Sequence, residues 1–129
     1  MLSDLVSLEV RFGGRQMPLV DLIDAWSQHV LRLYGERSES LDSKPDAWGV
    51  WDLGAAYLIR DAVAAGLGRA GAAEPPSLVA ADELLKAFTS ERSPDWQALM
   101  NQEPGPSWWW SRIPTSGPVL EDYHTAKGT

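Results

Sequence analysis

The sequence predicts an α+β fold, a small antiparallel sheet packed on three to four helices. Three observations predict it. Val6, Leu8, Val10 and Phe12 alternate with polar residues just ahead of Gly13-Gly14, the pattern of a half-buried strand entering a tight hairpin turn. From Leu19 to Leu33 apolar residues recur at helical spacing. Near the other end, Trp108-Trp109-Trp110 stands between proline and glycine breakers, which suits a short strand better than a helix. A mainly α bundle with the hairpin appended is the alternative.

The first strand is expected over Val6–Phe12, with a return strand over Arg15–Met17. An isolated hairpin is marginal in water, so it should pack on a helix or gain a third strand, for which Trp108–Ile113 is the natural choice. Pro18 fits the first turn of a helix that carries Leu19, Leu22, Ile23, Trp26, Val30 and Leu33 on one face and stops at Gly35. After a polar loop over Glu36–Pro45, a second helix should start at Pro45 or Asp46 and run to about Leu67. It is apolar nearly all round, which marks a buried central helix. Gly49 and Gly54 weaken it by roughly 1 kcal/mol each against alanine, a loss that close packing must offset.

Gly68–Pro76 reads as a linker, and Ser77 as the N-cap of a third helix with Leu78, Ala81, Leu85 and Phe88 inward. Ser93-Pro94-Asp95 reads as the start of a short helix to Met100. Val119-Leu120 suits an edge strand or coil. The expected organisation is one globular domain over residues 1–122, followed by a flexible tail over 123–129.

With 129 residues the chain is long enough to bury a self-sufficient core. It has no cysteine, which excludes disulfide scaffolds, thiolate metal sites and thiol nucleophiles. Eleven basic residues against eighteen acidic ones give a net charge of −7. Nucleic acids and anionic membranes need a positive footprint, so neither is an expected partner. The start, Met-Leu-Ser-Asp-Leu-Val, lacks the basic and apolar regions of a secretory signal. The most apolar window, Ala47–Gly68, is interrupted by Asp52, Arg60 and Asp61, so no spanning helix is expected and the location should be cytoplasmic.

Seven tryptophans are the strongest anomaly. Trp26, Trp48 and Trp51 lie in apolar helical stretches and should be core. In a strand, Trp109 would face away from Trp108 and Trp110, and a thin sheet cannot bury both faces. Some member of that triplet should therefore reach a surface, where exposed tryptophan favours binding. Asp52, Arg60 and Asp61 are the other unusual positions. Arg60 lies about 80° from Asp52 around the helix and Asp61 about 180°, so they form no cluster by themselves. Arg112 or His29 could complete a polar site; structural ion pairs and a boundary histidine with one hydrogen bond are the simpler expectation.

Gly66-Leu67-Gly68-Arg69-Ala70-Gly71 spells a dinucleotide fingerprint but follows a helix rather than a strand, so the motif fails on context. No phosphate loop, zinc-protease, nucleophile-elbow or calcium-loop pattern is present. No catalytic, metal or cofactor site is therefore expected. The function class that fits best is a small acidic accessory, inhibitor or immunity-type protein that binds another protein, one with a basic surface. Its expected binding residues are Trp108, Trp109, Trp110, Arg112, Asp52 and Arg60. The alternative is a small-ligand binder or enzyme with a Trp-lined pocket.

Overall fold

A computed structural model describes residues 8–126. β1 (Glu9–Phe12) and β2 (Arg15–Pro18) form an antiparallel hairpin in which Glu9 faces Pro18 and Phe12 faces Arg15. Gly13 and Gly14 both have positive φ, +61° and +80°, as the two-residue turn requires. The expected strand residues Val6 and Ser7 lie outside the described residues. The alternation works as anticipated: Val10 is buried, Glu9 and Arg11 are exposed, and Leu8 and Phe12 are half-buried against the core.

α1 (Leu19–Glu36) buries the predicted face from Leu19 to Leu33 and adds Glu36. That carboxylate is held by Arg32 at 3.4 Å, Lys44 at 3.3 Å and the Trp48 N–H at 3.0 Å. α2 (Val50–Ala70) is the central helix, packed by α1, β1 and the last two helices and joined to the third by an ion pair. It begins four or five residues later than the sequence suggests. Gly49 is extended and stands as its N-cap, while the Asp52 carboxylate accepts from the Gly49 N–H at 2.9 Å. Having no side chain, Gly49 cannot cap the first turn itself; Asp122 does so, accepting from the Val50 N–H at 2.7 Å. The far end closes in a Schellman motif, with Gly71 N–H to Gly68 O at 3.2 Å and Ala72 N–H to Leu67 O at 3.0 Å.

Gly66 marks where the hairpin sits on α2. A Cβ there would come within 2.7 Å of Val10 and 3.1 Å of Leu19, so only glycine admits this approach.

α3 (Pro76–Phe88) buries the predicted stripe and Asp82 besides. It starts at Pro76, with Pro75 before it, so Ser77 is inside the helix and caps nothing. β3 (Thr89–Glu91) follows directly and pairs antiparallel with β4 (Arg112–Pro114), Ser90 facing Ile113. α4 (Trp96–Met100) is capped by Asp95, which accepts from the Ala98 N–H at 3.1 Å.

The expected strand over Trp108–Ile113 is corrected in two ways. Only Arg112–Pro114 is strand, and it pairs with β3 in a sheet of its own instead of joining the hairpin. Trp108–Ser111 is a turn of 3₁₀ helix, closed by Trp110 N–H to Ser107 O at 3.2 Å and Ser111 Oγ to Trp108 O at 2.9 Å. Side-chain hydrogen bonds decide the matter. The turn lets neighbouring Trp109 and Trp110 both point inward, which a strand forbids.

Val119-Leu120 is neither strand nor coil but the start of α5 (Pro118–Ala126). Pro118 is preset for a first turn, and Val119 and Tyr123, four apart, both turn into the core. The segment from Tyr123, expected to be a loose tail, is thus helix through Ala126. Among the described residues there are five α-helices, and none is long and apolar enough to cross a membrane.

Candidate functional site

Seven indoles are distributed very unevenly with respect to the surface. Trp26 and Trp96 are fully buried, and Trp109 and Trp110 are each 3 % exposed. The last two converge on Asp61, whose carboxylate accepts from both Nε1–H groups at 3.0 Å. Trp96 donates to the Trp110 carbonyl at 2.6 Å and packs edge-to-face on both Trp110 and Tyr57. The sequence-predicted binding triplet is thus mostly interior. Trp108 alone reaches the surface, and there Lys86 Nζ lies 4.5 Å from its ring centre.

Arg60, 1 % exposed, makes a two-pronged ion pair with Asp82 at 3.0 and 2.9 Å, reaches Glu74 at 3.0 Å and stacks 4.4 Å from the Trp109 ring centre. Asp82 also takes the Trp26 Nε1–H at 2.9 Å. Each charge has a partner, so the burial of this cation is supported by its surroundings. Arg112 donates to Thr89 Oγ1 and to the Thr89 carbonyl, both at 2.7 Å, which ties β4 to β3. Asp52 is occupied at the α2 N-cap. The residues singled out as a polar site therefore serve separate places, and nothing brings Asp52, Arg60 and Arg112 together. His29 does what a boundary histidine should: its Nδ1–H donates to the Ala25 carbonyl at 2.7 Å, and its ring lies 4.7 Å from that of Trp48.

The exposed tryptophan is one expected to be core. Trp51 is 62 % exposed on the first turn of α2. With the helix starting at Val50, Trp51 shares a stripe with Ala55, Leu58, Ala62 and Ala65, all exposed or half-buried. Alanines hide that stripe from a hydropathy reading, because they suit either side of a helix wall. The recurrence of small residues four and eleven positions after Trp51 was the available signal.

The segments around the start of α2 are rich in carboxylates. The α1–α2 connection, the start of α2 and α5 bring together Glu36, Glu39, Asp42, Asp46, Asp52, Glu121 and Asp122, against Arg32, Arg37 and Lys44. Seven acids less three bases leave −4 of the chain's −7 at this end. The cations are already engaged: Arg32 and Lys44 on Glu36, Arg37 on the Tyr34 carbonyl at 2.7 Å and over its ring at 3.6 Å. Glu39, Asp42, Asp46 and Glu121 are exposed. Glu121 also secures the loop, accepting from the Leu41 N–H at 2.8 Å.

Comparison with protein-family models, with curated proteins and with solved structures returned no match. Among the described residues no group of three acidic or histidine side chains could hold a metal ion. A groove of about 220 Å³ touches two of the indoles, Trp96 and Trp110, but its other walls are Pro104, Pro106 and neutral residues. None of the charged residues expected in a Trp-lined pocket reaches it.

Proposed function

We propose that this protein is a non-enzymatic interaction protein that binds a basic surface of another protein through the acidic end around Trp51. The observation that carries the reading is a 62 %-exposed tryptophan on the first turn of α2, in a helix entered from a connection that carries the exposed carboxylates of Glu39, Asp42 and Asp46. A large aromatic on a fixed backbone loses little entropy on binding and is the commonest kind of hot spot. The surrounding charge steers a cationic partner in and repels acidic competitors. The identified tryptophan differs from those singled out in the sequence, but the chemistry is the one the composition suggested.

The test is affinity capture from the native host, comparing the wild type with Trp51→Ala and with Asp42→Lys/Asp46→Lys. Trp51→Ala should weaken the captured partner about thirtyfold, as a hot spot of roughly 2 kcal/mol does, with the melting temperature unchanged. The lysine pair should slow association and flatten its salt dependence. A partner retained equally by all three proteins would refute this assignment.

A further inference from the structure

A second surface feature, remote from Trp51 in its chemistry, is a groove of about 420 Å³ between the loop that follows β3, α4 and α5. We propose that it is a binding site for a free α-amino acid with an apolar side chain. Its size falls in the range of small-molecule sites.

Three features point to such a ligand. Opposite charges line the groove, Arg92 and Asp95, and neither is in an ion pair among the described residues. Asp95 spends one oxygen on the Ala98 N–H, which leaves the other for a ligand. Between these two residues Ser93 holds a left-handed backbone, φ +45°, although it is not glycine and precedes a proline. The Ser111 carbonyl clamps it there, accepting from the Arg92 N–H at 2.7 Å and the Ser93 N–H at 3.0 Å. Strained residues maintained by their surroundings cluster at ligand sites. The third feature is the apolar lining: the buried Tyr123, with Leu99 and Ala126 beside it.

A guanidinium recognises a carboxylate, a carboxylate recognises an ammonium, and the apolar wall takes a side chain. A simple anion in this groove would meet Asp95, and a simple cation would meet Arg92. A ligand carrying both charges pairs with both of these exposed residues at once.

The experiment is a ¹⁵N–¹H NMR titration of the full chain with L-leucine, L-phenylalanine, isocaproate (leucine without its ammonium) and isoamylamine (leucine without its carboxylate). Either amino acid should shift the amides of Ala98, Leu99, Tyr123 and Ala126 saturably. Each half-ligand should bind about tenfold more weakly than leucine, the loss of one charge-assisted hydrogen bond. Arg92→Gln should weaken leucine about tenfold and leave isoamylamine unchanged. Asp95→Asn should weaken leucine and leave isocaproate unchanged, and because asparagine caps a helix as well as aspartate does, α4 is preserved. The proposal is overturned if neither amino acid gives a saturable shift at about 10 mM. It is equally overturned if isocaproate or isoamylamine binds as tightly as leucine, or if both variants bind leucine like the wild type.

Discussion

Replacing Asp61 by alanine removes the shared acceptor of two buried indole N–H groups. Trp109 and Trp110 each donate to it at 3.0 Å, and both rings are 3 % exposed. A buried donor left without a partner costs about 1–3 kcal/mol. Two such donors set a range of about 2–6 kcal/mol, and the half-buried position of Asp61 lets water enter and brings the expectation to about 2–4 kcal/mol. Asp61→Asn should be milder, near 1–2 kcal/mol, because the amide oxygen can accept both indoles but without the charge. Urea unfolding followed by tryptophan fluorescence measures both variants, since the perturbed indoles are themselves the reporters. A midpoint for Asp61→Ala equal to that of the wild type would refute the view that this carboxylate fixes the 3₁₀ turn. So would Asp61→Asn destabilising more than Asp61→Ala.

Gly66→Ala should destabilise by about 1–3 kcal/mol, because the new methyl group collides with Val10 and Leu19; an unchanged melting temperature would mean that the hairpin is not seated on α2. Leu53→Ala, at a fully buried position, should cost about 2–5 kcal/mol, and Leu58→Ala clearly less, since Leu58 is only half-buried; the reverse order in urea would place the core on the wrong side of α2. The Tyr57 phenol is buried and donates to the Arg112 carbonyl at 2.7 Å, and desolvation pushes its pKa up, with the Arg112 charge opposing. Below pH 10 this group's contribution is complete. As pH rises past 10 the unfolded chain ionises and the folded chain does not, so stability should fall by about 1.4 kcal/mol per pH unit, and Tyr57→Phe should remove that slope.

Local patterning made the hairpin, the first helix and the third helix legible. The Gly13-Gly14 turn and the stripes Leu19–Leu33 and Leu78–Phe88 depend on periodicity and backbone freedom, which the sequence displays directly. Structure departs from local pattern where distant side chains decide local conformation. Asp122 sets the start of α2, and Asp61 together with Trp96 holds Trp108–Ser111 in a 3₁₀ turn. No window of neighbouring residues contains that information. Arg60 was recognisable as anomalous, but its partners Asp82 and Glu74 lie 22 and 14 positions away. Trp51 lies outside the core position its sequence suggests because the alanine-rich wall of α2 gives no contrast between inside and outside.

The cap of the central helix comes from 72 positions downstream, and this orders events during synthesis. A ribosome adding about 5–20 residues per second leaves a nascent α2 without Asp122 for some seconds after Val50 has been made. Over the same interval Leu41 lacks Glu121, and Arg37 lacks the Ser116 hydroxyl that donates to its carbonyl at 2.9 Å. The acidic end that carries Trp51 therefore acquires its native geometry only after Asp122 has been made. A partner that recognises this end would discriminate against nascent and prematurely terminated chains, and engage only those translated past Asp122.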